Sequence, residues 1–182
     1  MRIIAGDKRG TILNAPEGEQ TRPTYDRVKE AVFGRLQFSL VDKTVLDLFA
    51  GSGALGLEAV SRGAKMAYFC DFSKEAVKVI KSNIKKLGYE EKCAVFKNDY
   101  LGAIKEFSGK IKFDIVFIDP PYASGYYIPA LEALKESGIL ADGCILAMES
   151  DKNFEINISG YTKTKEKKYG ITYINYLEYS DE

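Results

Sequence analysis

The sequence predicts an α/β fold in which a mainly parallel sheet is covered by helices on both faces. Short apolar segments alternate with helical segments from about residue 44 to residue 149, which is the pattern of parallel strands joined by helices. A glycine-rich turn, Gly51-Ser52-Gly53, separates the first of these strands from its helix. Residues 160–179 alternate around Tyr169-Gly170, which predicts an antiparallel pair of strands at the end of the sheet.

The predicted elements form one sheet of seven strands. The apolar segments that we expect to be parallel strands are 44–50, 66–70, 93–97, 113–118 and 143–148. Helices are predicted at 54–60, 73–87 and 129–137, where apolar residues recur at helical spacing. The first 40 residues differ, because a small hairpin is followed by a helix from Asp26 to Leu40. This part is too small for a core of its own, so we expect a single domain, 1–182, with residues 1–40 packed on it as a short extension.

Composition restricts the class of protein. Hydrophobic residues make up 46% of the chain and charged residues 29%, and no apolar run is long enough to cross a bilayer. Residues 1–6 turn polar too early for a signal peptide, so we expect a cytoplasmic protein with no membrane partner. Cys70, Cys93 and Cys144 are an odd set without a Cys-x-x-Cys pair, which favours free thiols.

Histidine is absent from the sequence. This excludes Ser-His-Asp and Cys-His catalysis and any metal site with histidine ligands, and we expect no metal. A site in this chain has to work with carboxylates, backbone groups, aromatic rings and a cofactor. Lys and Arg together number 26, as do Asp and Glu, so the net charge argues neither for nor against a nucleic-acid partner.

The segment from Gly51 to Gly56 has the pattern of a nucleotide-cofactor loop. It matches Gly-x-Gly-x-x-Gly between a strand and a helix, and Asp71 follows 20 residues after Gly51 at the end of the next predicted strand. Glycines let the backbone turn sharply and approach a ligand, and the acidic side chain can accept hydrogen bonds from ribose hydroxyls. A merely tight strand–helix turn would use the same glycines, but the strand–turn–helix context favours a cofactor.

Asp47 distinguishes between two cofactors. A carboxylate late in a buried strand is costly unless it has a partner. It would repel the pyrophosphate of NAD, whereas S-adenosylmethionine presents an ammonium and a sulfonium. Asp99, after the third strand, suits the adenine amine, although a turn or helix-cap role fits it as well. We assign four flanking residues to the same S-adenosylmethionine site: Phe49, Ser52, Phe72 and Tyr100.

Asp119-Pro120-Pro121-Tyr122 is the predicted reaction centre. It follows an apolar strand, and two prolines cannot continue a sheet because they lack the N–H donor and fix φ. A rigid strand exit would explain the prolines alone. The Asp119 carboxylate and the Pro120 carbonyl can in addition accept hydrogen bonds from one exocyclic amine. Tyr122 offers a face for stacking a planar base, worth about 1–3 kcal/mol, and Pro121 is assigned to substrate binding.

These groups suit methyl transfer to an exocyclic amine of a nucleic-acid base. The lone pair of such an amine is delocalised into the ring, and acceptors on its two hydrogens favour the geometry in which the lone pair points at the methyl group. Positioning supplies much of the rate. No strong base is needed, since the methylated amine is transiently cationic and loses its proton easily, which agrees with the absence of histidine. Enzymes that act on base atoms extrude the base or use an unpaired one.

Several longer runs resemble one known family. They are Arg2-Ile3-Ile4-Ala5-Gly6, Lys8-Arg9-Gly10, Thr21–Phe33, Asp47–Gly56, Asp119–Tyr122 and Tyr169-Gly170. Together they span nearly the whole chain and resemble the RsmD-type 16S ribosomal RNA guanine-N2 methyltransferases. Many amine methyltransferases share the glycine loop and the Asp-Pro-Pro-Tyr tetrad, whereas the stretch from Thr21 to Phe33 is specific to this family. Gly34 departs from it, standing where an asparagine often follows the phenylalanine.

The resemblance implies a bacterial enzyme with the Rossmann-like class I fold of S-adenosylmethionine-dependent methyltransferases. It implies methylation of guanine N2 in 16S ribosomal RNA, at position 966, with a partly assembled small subunit as the substrate. It also carries over the ribose role of Asp71. We expect the enzyme to be a monomer.

Basic residues near the N-terminus are candidates for contacts with RNA phosphates. Lys8 and Arg9 would lie at the tip of a hairpin and Arg22 near the active site, and Arg27 is assigned to substrate binding with them,. Acidic neighbours offset most of this charge, so an ordinary solvated surface is the competing interpretation, and the resemblance favours RNA. Two lysine-rich segments, 74–85 and 163–168, are weaker candidates.

Three other functions fit parts of the pattern. An adenine-N6 DNA methyltransferase shares the loop and the tetrad, but it usually needs a target-recognition domain, for which 182 residues leave little room. A nicotinamide-dependent oxidoreductase would leave the tetrad without a role. A non-catalytic RNA-binding assembly factor is disfavoured because Asp47, Gly51, Gly53 and Asp119 are intact.

Overall fold

The computed structural model describes residues 1–16, 23–121 and 124–181. Within these ranges, seven strands form one sheet flanked by helices. The elements are α1 Pro23–Leu36, β1 Thr44–Asp47, α2 Ala54–Ser61, β2 Met66–Asp71, α3 Lys74–Leu87, β3 Cys93–Lys97, α4 Tyr100–Phe107, β4 Phe113–Ile118, α5 Tyr127–Glu136, β5 Leu140–Ser150, β6 Tyr161–Tyr169 and β7 Thr172–Tyr179. A short 3-10 turn, Glu90–Lys92, precedes β3.

The strand order is β3-β2-β1-β4-β5-β7-β6. Strands β1 to β5 are parallel to one another, while β7 is antiparallel to both β5 and β6. The chain therefore reverses after β5 and inserts its last strand between β5 and β6. The predicted class, a mainly parallel sheet wound on both faces with an antiparallel C-terminal pair, is confirmed.

Some boundaries differ from the prediction. Helix α1 starts at Pro23 rather than Asp26, because proline suits the first helical position. It ends at Leu36 rather than Leu40, and Leu40 is buried in the connection to β1. Strand β5 is longer than predicted, since Leu140 also pairs with Phe113 across a bulge. Helix α4 was not predicted at all, because it is short and a glycine, Gly102, lies in its first turn.

Both faces of the sheet are buried. Alternate residues of β4 show this, because Ile115 and Phe117 belong to the hydrophobic cluster beneath α1, α2 and α3, whereas Val116 and Ile118 belong to the cluster beneath α4 and α5. Strands with two buried faces are apolar throughout rather than alternating, which explains the continuous apolar run 113–118 in the sequence.

The N-terminal segment is held on α2 by one buried carboxylate. Arg2 and Ile12 form an antiparallel bridge, and the backbone N–H groups of Ile4 and Ala5 donate to Glu58 at 2.7 and 3.0 Å. Glu58 also forms ion pairs with two further side chains, at 3.2 Å with Lys29 and at 2.7 Å with Arg62. Burial lowers the pKa of Lys29, while the Glu58 charge raises it in part. One anion thus connects α1, α2 and the hairpin.

Candidate active site at the carboxyl edge of the sheet

The aspartates predicted for the site follow the ends of four parallel strands. We call this side of the sheet the carboxyl edge. Asp47 and Asp71 are the last residues of β1 and β2, Asp99 comes two residues after β3, and Asp119 directly follows β4. The Cys70 thiol has its pKa raised to about 12, by burial first and then by the charges of three of these carboxylates. The structure therefore brings together acidic residues that are separated by as many as 72 positions in the sequence, from Asp47 to Asp119.

Asp47 is a buried carboxylate. The residue is 2% exposed, and its Oδ2 accepts a hydrogen bond of 3.0 Å from the Gly56 N–H. Burial raises the pKa of Asp47 to about 7, although the Gly56 hydrogen bond lowers it in part, and the charge of Asp71 raises it further. A nearby cation would stabilise the ionised form. The position suits an ammonium or a sulfonium.

The Asp71 carboxylate is fixed by backbone on both sides. Its Oδ2 accepts from the Gly51 N–H at 2.9 Å, and its Oδ1 accepts from the Ser73 N–H at 2.8 Å. Each carboxylate oxygen has a second lone-pair site, so Asp71 can still accept hydrogen bonds from a ribose. The next residue, Phe72, is 69% exposed and places an aromatic ring beside it.

Two glycines of the loop are required by geometry. Gly53 has φ +79°, a left-handed conformation that other residues rarely adopt. A Cβ on Gly56 would lie 2.3 Å from Cε1 of Phe69 in β2. The glycine at this position therefore lets α2 approach the sheet closely and holds the helix N-terminus at the carboxyl edge.

Ser52 connects the glycine loop to the N-terminal segment. Its hydroxyl contacts the Met1 sulfur at 3.1 Å, and its carbonyl accepts a hydrogen bond of 3.0 Å from the Asn83 amide. The same Asn83 amide donates to the Asn14 carbonyl at 3.0 Å and accepts from the Asn14 N–H at 2.8 Å. Sequence reasoning missed Asn83. The available signal was a polar residue on the apolar face of α3, at the spacing of its buried residues.

Asp99 begins α4. Its Oδ1 accepts a hydrogen bond of 2.7 Å from the Gly102 N–H, the bond expected of a helix N-cap. The side chain is exposed at the carboxyl edge, so the cap role leaves its second oxygen accessible. A role for Asp99 with adenine stays a prediction.

Three aromatic rings cluster at the carboxyl edge. Phe49 follows β1, Tyr100 begins α4, and Tyr126 precedes α5. The ring centroids lie 5.5 Å apart for Phe49 and Tyr100, 5.2 Å for Tyr100 and Tyr126, and 6.3 Å for Phe49 and Tyr126. Burial raises the pKa of Tyr100, while Tyr126 is 43% exposed. Tyr126 was not predicted, and its only signal was an aromatic residue close after the tetrad.

The described part of the tetrad lies between this aromatic cluster and the end of β5. Asp119 is partly exposed, Pro120 is buried and Pro121 is exposed. The Pro121 carbonyl accepts a hydrogen bond of 3.1 Å from the Ser124 N–H, whereas no hydrogen bond between described residues occupies the Pro120 carbonyl. Tyr122 lies outside the described residues, so its predicted stacking role stays a prediction.

Lys8 and Arg9 are not at the carboxyl edge. The Lys8 N–H donates to the Ser61 hydroxyl at 3.1 Å, and the Lys8 ammonium lies 5.8 Å from the centre of the Tyr89 ring. Ser61 ends α2 and Tyr89 follows α3, so both mark the opposite edge of the sheet. A strand of six residues separates the two edges by about 20 Å, and any contact of this hairpin with RNA would be remote from the reacting base.

Arg27 is exposed on the side of α1 that points toward the carboxyl edge. The Ala31 carbonyl accepts a hydrogen bond of 3.3 Å from the Tyr176 hydroxyl, and the Phe33 ring lies 5.6 Å from that of Phe117 near the end of β4. The last turn of α1 is connected to the start of β1, which lies at the edge of the sheet opposite the carboxyl edge. The first turns of α1 therefore lie toward the carboxyl edge. Arg22 is outside the described residues.

The described residues were also compared with what a metal site or a membrane-spanning helix requires. Within residues 1–16, 23–121 and 124–181, no group of three acidic or cysteine side chains is arranged to hold a metal ion. In the same ranges, no helix is both long and apolar enough to span a bilayer. All three cysteines are free thiols, and burial raises the pKa of each.

Comparison with known proteins places the chain in a family. Residues 1–178 match the family model described as Conserved hypothetical protein 95. The chain belongs to this family. One relative is the Ribosomal RNA small subunit methyltransferase D of Haemophilus influenzae. It is 36% identical over 173 residues, which cover 94% of this chain and 90% of the relative. The enzyme of the same name from Escherichia coli is 37% identical over 152 residues, covering 83% of this chain and 75% of the relative. The resemblance to the RsmD type found in the sequence is confirmed.

Solved structures agree with the family assignment. The Escherichia coli protein yhhF, described as a methyltransferase, has a TM-score of 0.89 and 31% identity, covering 100% of this chain and 99% of its own. A more distant methyltransferase, SMU.776, was solved in complex with SAH; it has a TM-score of 0.67 and 16% identity, covering 87% of this chain and 50% of its own. At that identity the likeness establishes the fold, which is the one predicted for an S-adenosylmethionine-dependent methyltransferase.

Proposed function

We propose that the chain transfers a methyl group from S-adenosylmethionine to the exocyclic N2 of a guanine in 16S ribosomal RNA. The observation that carries the proposal is the position of Asp119 and Pro120 at the carboxyl edge, near the buried Asp47 carboxylate and the glycine loop that follows it. The relatives of the chain are named as small-subunit ribosomal RNA methyltransferases. Guanine 966 in a partly assembled subunit is the specific target that the family resemblance favours.

The residues around the glycine loop fit S-adenosylmethionine. Asp47 is buried with a raised pKa, and within the described residues no basic side chain forms an ion pair with its carboxylate. Asp71 is oriented by two backbone donors and retains capacity for hydroxyl groups. Phe72 follows the end of β2, and Asp99 and Tyr100 follow the end of β3, at the same edge of the sheet. The cofactor supplies an electrophilic methyl group, and the protein contributes binding, orientation and exclusion of water.

Asp119 and Pro120 are the proposed acceptors for the two hydrogens of the base amine. The Asp119 carboxylate is partly exposed, and the Pro120 carbonyl is free of hydrogen bonds to described residues. Because proline has no N–H, the backbone at Pro120 and Pro121 offers no donor that would repel the amine. After transfer the nitrogen is cationic, and the Asp119 carboxylate can take its proton. The aromatic cluster of Phe49, Tyr100 and Tyr126 gives the planar base an apolar boundary.

Methylation in a purified system tests this proposal. The protein is incubated with tritiated S-adenosylmethionine and small ribosomal subunits that lack the modification, and the RNA is digested to nucleosides. We expect label in N2-methylguanosine. Label in N6-methyladenosine, in DNA, or in no nucleic acid would contradict the proposal.

A variant separates chemistry from cofactor binding. We expect Asp119→Ala to abolish transfer, because one of the two acceptors for the amine is lost, while calorimetry still detects S-adenosylmethionine. The matched control is Asp114→Ala, which removes a carboxylate from the opposite end of the same strand, where it pairs with Lys43. Loss of cofactor binding in Asp119→Ala would assign this residue to the cofactor instead.

A further inference from the structure

We propose that the tip of the β6–β7 hairpin binds phosphates of the RNA that flanks the methylated nucleotide. The lysine tip, as it is called here, consists of Lys165 and Lys167 on one face of the hairpin, Lys168 and Tyr173 on the other, and Ile171 at the turn,. This inference rests on the proposed RNA substrate and adds a second contact surface on the side of the site away from the glycine loop.

Sheet register places the lysine tip beside the reaction centre. Ile118 of β4 pairs with Met148 of β5, Met148 with Asn175 of β7, and Asn175 with Glu166 of β6. Asp119 and Lys167 each come one residue later toward the carboxyl edge. Neighbouring strands are about 4.8 Å apart, so about 14 Å across the sheet separates the two backbones. Lys168 and the turn that follows it extend further toward the carboxyl edge.

The lysines of this surface carry charge that the protein does not neutralise. Lys165, Lys167 and Lys168 are exposed, and none forms an ion pair with any residue in the described part of the chain. Lys163 differs, because it pairs with Glu166 and so neutralises the one acidic residue of β6. Clustered lysines without partners on one strand are the electrostatic footprint of a phosphate-binding surface.

Aromatic and apolar surface accompanies the charge. The Lys168 ammonium lies 4.9 Å from the centre of the Tyr173 ring, and Ile171 at the turn is 70% exposed. A surface made only of solvated ion pairs does not explain the exposed side chain of Ile171. Single-stranded nucleic acids bind where cations contact the backbone and side-chain faces contact ribose or base. The combination therefore favours RNA over an acidic protein surface.

Arg27 extends the same surface. It lies one helical turn before Ala31, which contacts Tyr176, and Tyr176 pairs with Lys165. On β6, Lys167 lies closer to the carboxyl edge than Lys165 does. On α1, Arg27 lies closer to the carboxyl edge than Ala31 does. The two cations therefore lie on neighbouring elements near the same edge.

The test uses the double variant Lys167→Gln/Lys168→Gln of the full chain. We expect the dissociation constant for unmethylated small subunits to rise about three- to tenfold, with S-adenosylmethionine binding unchanged. For single strands, the slope of log affinity against log salt changes by about 0.7 for each phosphate contact, so it should become shallower by about 1.4. The control is Lys65→Gln/Lys92→Gln, which removes two exposed lysines just before β2 and β3, at the opposite edge of the sheet, and should leave affinity and slope unchanged.

A cross-linking arm identifies the partner. Ile171→benzoylphenylalanine should cross-link to 16S RNA in the bound subunit. Two outcomes would contradict RNA binding by the lysine tip and leave the proposed function intact. The first is cross-linking to ribosomal protein alone. The second is unchanged affinity of the Lys167→Gln/Lys168→Gln variant for subunits that the wild type methylates. If the wild type binds S-adenosylmethionine but neither binds nor methylates the subunit, both proposals fail.

Discussion

The Asn83 side-chain amide donates a hydrogen bond of 3.0 Å to the Ser52 carbonyl, which joins helix α3 to the glycine loop. Its other hydrogen bonds join it to the backbone of Asn14, near the end of the N-terminal segment 1–16. The Asn83 side chain is fully buried, and its bond to Ser52 is buried as well, whereas its bonds to Asn14 are partly buried. The cofactor loop and the segment that leads toward Arg22 therefore share one side chain.

We expect Asn83→Ala to weaken S-adenosylmethionine binding. The variant leaves the buried Ser52 carbonyl without its partner, at a cost of about 1–3 kcal/mol, and it also removes the partly buried bonds to the Asn14 backbone. If half of one such cost falls on the loop, calorimetry should show a several-fold rise in the dissociation constant, together with a lower melting temperature. Asn14→Ala is the control, because it keeps the backbone bonds and loses only an exposed contact to Ser82. Unchanged cofactor affinity in a folded Asn83→Ala variant would contradict the coupling.

Cofactor binding should depend on the ionisation of Asp47. Its pKa in the free protein is raised to about 7, and a cationic ligand binds the ionised form. Below pH 7 the carboxyl is protonated in the free protein, so the dissociation constant for S-adenosylmethionine should rise as the pH falls, by up to about tenfold for each pH unit. Calorimetry between about pH 8 and pH 5.5 measures the slope. A flat profile in the wild type would contradict the role given to Asp47.

Asp47→Asn should stabilise the free protein while weakening cofactor binding. Since the folded-state pKa lies above the unfolded value of 3.8, the folded state binds more protons between about pH 4 and pH 7, and this carboxyl makes the protein less stable as the pH rises through that range. An uncharged Asn escapes the penalty, which at pH 8 amounts to at most about 4 kcal/mol. Thermal unfolding without cofactor should show a gain at pH 8 that disappears near pH 4. The control Asp42→Asn, at an exposed position, should show neither effect.

Gly56→Ala should destabilise the protein by overpacking. The added methyl group would lie 2.3 Å from Cε1 of Phe69, and such crowding costs about 1–3 kcal/mol. In the double variant Gly56→Ala/Phe69→Leu, urea unfolding should show part of this loss recovered. Gly34→Ala, in α1 with nothing within 4 Å of its would-be Cβ, should instead raise stability by up to about 1 kcal/mol. Equal effects at both glycines would exclude the packing explanation.

Glu58→Gln should cost more stability than Lys29→Met. Without the Glu58 carboxylate, Lys29 keeps a buried charge with no counterion, and breaking a buried pair in this way costs about 3–5 kcal/mol. Without Lys29, Glu58 still has Arg62 and two backbone donors. Urea unfolding of the two variants measures the difference. The reverse order would show that Arg62 and the backbone do not hold the carboxylate.

The residues of the site that were predictable from sequence are those set by local rules. Asp47, Asp71 and Asp119 follow apolar segments, and parallel strands bring their carboxyl ends to one edge wherever they lie in the chain. Gly53 and Gly56 were predictable for the same reason, since a strand–turn–helix unit is a contiguous stretch. The cofactor assignment required only these positions.

The residues that were not predictable depend on contacts across long stretches of chain. Lys8 was expected at the tip of a hairpin as an RNA contact, but its distance from the site was not predictable. It lies at the opposite edge because Ser61, 53 residues away, holds its backbone. Tyr126 joins the aromatic cluster through side-chain packing with Phe49. The register that brings Lys167 within three strands of Asp119 follows from the insertion of β7, which hydropathy patterns do not encode.

The position of β7 has a consequence for how the chain folds during synthesis. This strand comes last among the described elements, yet it lies inside the sheet, and Ile174 and Leu177 complete the hydrophobic clusters on the two faces. Until β7 leaves the ribosome, β5 has an open edge and both clusters lack one wall. Because β7 is synthesised after every other described strand, the sheet can close only once residues 172–179 have left the ribosome.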